Sequence, residues 1–65
     1  MEREKFFQDF NKCLDKDGSV LVYFNDIDYI HCDEIDEIDN NDIIFLCLDN
    51  VAISRIRISN IVRVS

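Results

Sequence analysis

The sequence predicts a single α+β domain, mainly β, in which an N-terminal helix precedes about five short antiparallel strands. Two observations predict this class. Apolar residues first recur at three- and four-residue intervals, and after Gly18 the apolar period shortens to two. β-branched and aromatic residues dominate the second region, which favours strands. The 65 residues suffice for one domain, spanning 1–65.

The helix is predicted over about residues 3–15. Its apolar stripe consists of Phe6, Phe7, Phe10, Cys13 and Leu14. Glu2 and Glu4 suit the positive N-terminal end of a helix, and Lys16 suits the negative C-terminal end. Gly18 is placed to end the helix in a left-handed conformation.

The strands alternate with clusters of Asn, Asp and Ser, whose side chains bond local backbone in turns. We predict strands at about 19–25, 28–35, 42–48, 51–57 and 60–64. The turns between them are predicted at Asn25-Asp26, Asp39-Asn40-Asn41, Asp49-Asn50 and Ser59-Asn60. Asp49-Asn50 has the character of a tight hairpin turn.

Two strands, 20–24 and 43–48, are apolar on both faces, so both of their faces need a cover. One cover is the interior of a barrel, and the other is the helix or a second subunit. We assign core packing to Phe6, Phe7, Phe10, Val22, Phe24, Phe45 and Leu46.

A helix followed by five antiparallel strands resembles the order of small SH3-like and Sm-like barrels, with residues 58–61 as the short 3₁₀ link before the last strand. The resemblance implies a small barrel or a curled sheet. The glycine-bent second strand and the glycine-containing motifs of true Sm proteins are missing, so no family is assigned.

The cysteines and the chain length indicate compartment and assembly. The sequence has three cysteines, Cys13, Cys32 and Cys47, which is an odd number. No two of them form a C-x-x-C pair, and no apolar signal segment precedes them. These features favour buried thiols in a reducing cytoplasm. No apolar run approaches the ~18 residues of a membrane span. A domain of this size buries only about 60% of its unfolded surface, so we expect a homo-oligomer, dimeric or higher.

Catalytic and metal sites are disfavoured. The run Asp15-Lys16-Asp17-Gly18-Ser19 departs from a calcium loop, because Val20 occupies the position that requires Gly. His31 and Cys32 are adjacent and would point to opposite faces of a strand. The cysteines lack the close pairs of zinc sites. We therefore expect no enzyme, no metal and no cofactor.

The charge is strongly segregated. Nine carboxylates and no Lys or Arg lie between Asp26 and Asp49, in a chain of net charge −7. Eight of them fall within residues 26–42, here called the acidic segment. Extended, this segment carries one charge per ~7 Å, whereas duplex DNA carries one per ~1.7 Å, so nucleic-acid mimicry would need a dimer or a tightly folded segment.

Ile35 and Ile38 interrupt the carboxylates at a three-residue interval. This spacing fits either one helical turn or a bulged strand end that anchors the acidic residues to the core. The residues assigned to partner contact are Asp33, Glu34, Asp36, Glu37 and Asp39. The alternative is a solvated face that only keeps the chain soluble.

Arg55, Arg57 and Arg63 form the opposite pole. Arg55 and Arg57 share one face of a strand. Arg63 points away if residues 59–60 close a tight hairpin and converges with the others if they form a 3₁₀ corner. A convergent trio suits bidentate phosphate binding, although such arginines more often pair with acidic side chains.

Three functions from different classes follow. The first, which we favour, is a small non-catalytic interaction protein, such as a phage-type inhibitor, that occupies the basic nucleic-acid-binding surface of a partner protein through residues 26–42. It binds neither nucleic acid nor membrane itself. The second is an oligomeric barrel that sequesters a nucleotide or other phosphorylated ligand through Arg55 and Arg57. The third, an enzyme, lacks any recognisable acid–base motif. Abundant Ile, Asn and Asp with no Pro suggest an AT-rich coding sequence, as in phages and low-GC bacteria.

Overall fold

The computed structural model describes residues 1–38 and 42–65 and confirms an N-terminal helix followed by antiparallel strands. The elements are α1 (Arg3–Asp17), β1 (Val20–Tyr23), β2 (Tyr29–Cys32), β3 (Glu34–Glu37), β4 (Ile43–Leu48), β5 (Val51–Arg57), a 3₁₀ turn (Ile58–Asn60) and β6 (Arg63–Val64). The predicted turn at 39–41 lies outside the described residues. No helix in the described ranges is long and apolar enough to cross a bilayer.

The helix ends as the sequence predicts, although two residues later. Gly18 adopts φ 76° and donates its N–H to the Leu14 carbonyl at 2.8 Å, which satisfies one of the open carbonyls of the last turn. Phe6 and Phe10 are buried on one side of α1, with ring centroids 5.8 Å apart. The apolar stripe therefore fixes which side of α1 faces the sheets.

The strands form two three-stranded antiparallel sheets. The first sheet has the order β2-β1-β6, and the second has the order β3-β4-β5. The single strand predicted at 28–35 is wrong: it is divided at Asp33, where the chain leaves its pairing with β1 and begins its pairing with β4. The Asp33 N–H donates to the Cys47 carbonyl at 2.8 Å at this crossing. No strand pairing among the described residues closes the sheets into a barrel.

The β4–β5 hairpin confirms the predicted turn. Asp49 and Asn50 adopt φ 53° and 67°, and these two consecutive left-handed residues are the signature of a type I′ turn, whose twist matches that of the flanking strands. β5 has the predicted bounds, with a register irregularity opposite Leu46 and Cys47. The hairpin therefore carries β5 to the open side of the second sheet.

The core lies between the two sheets and α1. Its buried members are Phe6, Phe10, Val20, Val22, Cys32, Ile44, Leu46, Ile58 and Ile61. The assignment of Phe45 to this core is wrong, because it alternates with Ile44 and Leu46 along β4 and faces the other side of the sheet. Phe7 and Phe24 are only half-buried and pack against the margin of the core.

Candidate interaction surface

The face of the second sheet that points away from the core carries three parallel columns of side chains, here called the outer face. Cross-strand partners share a face, so the registers define them directly. Asp36 pairs with Phe45, which pairs with Arg55. The columns are acidic on β3 (Glu34 and Asp36), apolar on β4 (Ile43, Phe45 and Cys47) and basic on β5 (Arg55 and Arg57).

The acidic column is produced by strand alternation. Ile35 packs against the core, so Glu34 and Asp36 on either side of it must point outward. Both are exposed, and neither makes a salt bridge with any described residue. Asp36 and Arg55 lie on strands separated by β4, about 10 Å apart at the backbone, and they form no salt bridge with each other.

Cys47 lies beneath the acidic column. Its thiol donates to Asp36 Oδ2 at 3.5 Å, and burial together with the neighbouring carboxylates raises its pKa. Ligand atoms of Glu34, Asp36 and Cys47 lie within 4.8 Å of one another, which is a spacing that a metal ion could use. A thiol must lose its proton to bind a metal, and this environment opposes that loss.

The other residues assigned to partner contact do not join the acidic column. Glu37 lies on the opposite face of β3 and forms a salt bridge of 2.6 Å with Arg3 of α1. Asp33, half-buried at the crossing between the sheets, accepts the Asp49 N–H at 3.3 Å. Asp39 lies outside the described residues. The structure thus brings together Glu34 and Asp36 on the outer face, keeps Asp33 beside Glu34 but half-buried, and separates Glu37 from them.

Two further carboxylates of the acidic segment stabilise local structure. Asp42 accepts bonds from the Ser59 N–H at 3.0 Å and the Ser59 hydroxyl at 2.9 Å, and it contacts Arg57 at 3.5 Å. The bonds from Ser59 are the main reason why the pKa of Asp42 is lowered from its ordinary 3.8. Asp28 accepts from the Asn25 side chain at 2.8 Å within the β1–β2 turn.

A groove that the sequence did not reveal runs between α1 and the start of β3, with a volume of about 520 Å³. Its floor is apolar, and its rim carries Asp33, Glu34 and two amides; the lining residues are Phe7, Phe10, Asn11, Leu14, Asp33, Glu34, Ile35 and Asn50. Phe7 and Leu14 belong to the helix stripe, but only the docking angle of α1 decides that they border Glu34. Glu34 therefore belongs both to the groove and to the acidic column.

Arg55 and Arg57 line a second cavity of about 300 Å³. Phe24, at the end of β1, and Asn60, in the 3₁₀ turn, contribute to its wall. From the sequence, Phe24 was assigned to core packing and Asn60 to a turn, and neither was expected beside the arginines, because only the tertiary fold brings them next to β5. Contact with Asp42 partly neutralises Arg57, so Arg55 is the stronger source of positive potential here.

Arg63 does not converge with the other two arginines. The link before β6 is a 3₁₀ turn, as one alternative held, but Arg63 pairs with Tyr23 in the first sheet. Its guanidinium carbon lies 3.7 Å from the centroid of the Tyr23 ring, and that ring packs against Tyr29 at 5.2 Å. The pairing of β6 with β1 places Arg63 away from the cavity, and the Tyr23 ring then provides a contact for its guanidinium group.

Comparison of the chain with protein-family models, with curated proteins and with solved structures finds no match. The geometry of the outer face, the groove and the arginine cavity is therefore the basis for assigning a function.

Proposed function

We propose that this chain is a non-catalytic interaction protein, of the kind that phages use as inhibitors, which occupies a basic, nucleic-acid-binding surface of a partner protein. The observation that carries the proposal is the pair of exposed carboxylates, Glu34 and Asp36, on the outer face of β3. Asp33 at the adjacent groove extends the acidic surface toward α1.

Electrostatics and shape both support a cationic partner. The chain carries a net charge of −7, so it attracts basic proteins over distances comparable to the Debye length of about 8 Å at physiological salt. The groove offers an apolar floor beside Glu34. A Lys or Arg side chain has an aliphatic stem and a charged tip, so it can bury the stem on Phe7 and Leu14 while its tip meets the carboxylate.

Competition with nucleic acid tests the proposal. Proteins of pI above about 9 with known DNA-binding grooves would be loaded with labelled duplex, and displacement by the chain would be followed by fluorescence anisotropy. We expect the Glu34→Gln/Asp36→Asn variant to lose displacement. The matched control, Asp15→Asn/Asp17→Asn, removes the same charge from exposed positions near the end of α1 and should displace like the wild type.

Equal displacement by both double variants would contradict the assignment of the contact surface to β3. We leave Asp33 and Glu37 unchanged because Asp33 accepts a hydrogen bond from the β4–β5 turn and Glu37 pairs with Arg3 of α1, so their substitution would change contacts within the chain as well as its charge.

The arginine cavity supports a second candidate function, the binding of a nucleotide or another phosphorylated ligand. Arg55 supplies the charge, and Phe24 offers an apolar wall next to the Asn60 amide. A thermal-shift screen with nucleotides should then raise Tm, and Arg55→Ala should abolish the rise. Arg63→Ala, remote from the cavity, is the matched control.

We also propose that the two sheets act as one curled, SH3-like or Sm-like sheet. The chain passes directly from β2 in the first sheet to β3 in the second, and the Asp33 N–H between them donates to the Cys47 carbonyl of β4. These two features connect the sheets. Three cysteines without a disulfide suit a reducing cytoplasm, where we propose that the protein acts.

A further inference from the structure

The longest strand of the molecule has one open edge. β5 spans seven residues and pairs only with β4 among the described residues, whereas β6, another edge strand, has two residues. Natural proteins protect open edges with short strands, Lys, Pro or bulges. β5 contains neither Lys nor Pro, and its one protective feature is a bulge at Ile53, which has no partner on β4 because Ala52 pairs with Cys47 and Ser54 with Leu46.

The same strand exposes apolar side chains. Val51 is 60% exposed and Ile53 is 46% exposed, and Ala52 between them is also exposed. An open backbone edge together with exposed β-branched residues is the combination that pairs with another strand. Because the chain is only 65 residues long, it also gains more from a second subunit than a larger domain would.

We propose that β5 pairs in antiparallel fashion with β5 of a second copy of this chain, about a two-fold axis at Ile53. The pairing joins two second sheets into one six-stranded sheet. It covers Val51 and Ile53 and supplies hydrogen-bond partners to the open edge.

Charge and the length of the paired segment together select this register. An axis at Ala52 would place Arg55 opposite the partner's Asp49, but only residues 51–53 of the two strands would then face each other. An axis at Arg55 would place two guanidinium groups directly opposite each other, which is destabilising. An axis at Ile53 places Arg55 opposite the partner's Val51 and brings Arg57 level with the partner's Asp49. Asp49 is exposed and makes no salt bridge with a described residue, so it offers a second carboxylate to Arg57, which contacts Asp42 of its own chain at 3.5 Å. An axis at Ser54 also separates the arginines but leaves Asp49 without a cation.

The geometry keeps the acidic columns accessible. A two-fold axis perpendicular to the sheet places β3 at each outer end, with Glu34 and Asp36 of both copies on the same face. The inference stands independently of the proposed function, since β3 and β5 are opposite edges of the sheet. An edge-to-edge contact buries less than the ~800 Å² per partner of standard stable interfaces, so the dimer should dissociate on dilution.

Sedimentation velocity over low micromolar to millimolar protein tests the dimer. The wild type should shift reversibly from monomer to dimer, and Ile53→Lys should remain monomeric because it places like charges at the axis. Ile27→Lys is the matched control, since Ile27 is 79% exposed in the β1–β2 turn, and it should dimerise like the wild type. A wild type that stays monomeric, or an Ile53→Lys variant that still dimerises, overturns the proposal.

Cross-linking tests the register. Residues that face each other across antiparallel strands have Cα atoms about 4.5–5.5 Å apart, within the range of a disulfide. Under mild oxidation Ile53→Cys should therefore form a disulfide-linked dimer several-fold faster than Val51→Cys, whose counterpart at the axis is Arg55. Equal rates for the two variants would contradict an axis at Ile53 and refute the register.

Discussion

Phe6 and Phe7 are neighbours on α1 whose substitutions should have very different costs. Phe6 is fully buried in the core, whereas Phe7 is half-buried at its margin, with its ring centroid 5.3 Å from that of Phe6. Truncation of a buried Phe to Ala removes apolar contacts and leaves a cavity, at a cost of about 3–5 kcal/mol. Domains of this size rarely have more than about 3–5 kcal/mol of stability, so Phe6→Ala should be largely unfolded without denaturant.

Phe7→Ala should cost roughly 1 kcal/mol, because a half-buried ring loses only part of its transfer free energy. Urea titration followed by far-UV circular dichroism, at one fixed protein concentration, gives both free energies of unfolding. Phe6→Leu keeps most of the buried apolar volume, so it should cost less than Phe6→Ala and provide a folded variant at the same position. A Phe6→Ala protein as stable as Phe7→Ala would refute the placement of α1 on the sheets.

Three further predictions follow from named contacts. The pKa of Asp42 is lower in the folded protein than its ordinary value of 3.8, so in acid the unfolded state binds more protons than the folded state. The stability that Asp42 contributes is therefore fully present above pH 3.8 and is lost as the pH falls through the lower pKa of the folded protein. Ser59→Ala should raise the Asp42 pKa, which NMR titration of its carboxyl carbon measures. Half-buried Cys13 should react with a thiol reagent in the native state before Cys32, because burial raises the pKa of Cys32 to about 12; equal rates would contradict this burial. At the left-handed position with φ 67°, Asn50→Gly should be nearly neutral and Asn50→Val should cost about 1–2 kcal/mol, as measured by urea unfolding.

The sequence pattern predicted those helices and turns that depend only on residues close together in the chain. The period of Phe6 and Phe10 identifies the helix, and the turn-forming pair Asp49-Asn50 identifies the hairpin and with it the bounds of β5. These features depend on neighbouring residues alone, so one sequence suffices to find them.

The division of the second strand was missed, although its signal was present. Ile30 and Cys32 point toward the core at even positions, whereas Ile35 does so at an odd one, so the inward parity changes between them. A strand cannot change parity without a break or bulge. The three-residue interval from Ile35 to Ile38 drew attention to the right region but not to Asp33.

The candidate surfaces were only partly predictable, because residues that are close together in the sequence can point to opposite faces of a strand. Glu34 and Glu37 are three residues apart in one acidic segment and lie on opposite faces of β3; both are exposed, but only Glu37 is paired, with Arg3. Arg63 left the arginine group because β6 pairs with β1, a long-range choice that no local pattern encodes. The groove beside Glu34 likewise depends on how α1 docks.

The association rate constant for a basic partner, measured as a function of ionic strength, tests the central claim most directly. Exposed carboxylates steer encounter, so the rate for the wild type should fall steeply as salt increases. The rate for Glu34→Gln/Asp36→Asn should be lower at low salt and depend more weakly on salt than that for Asp15→Asn/Asp17→Asn. Identical salt dependence for the two variants would show that net charge alone attracts the partner and that β3 has no special part in the contact.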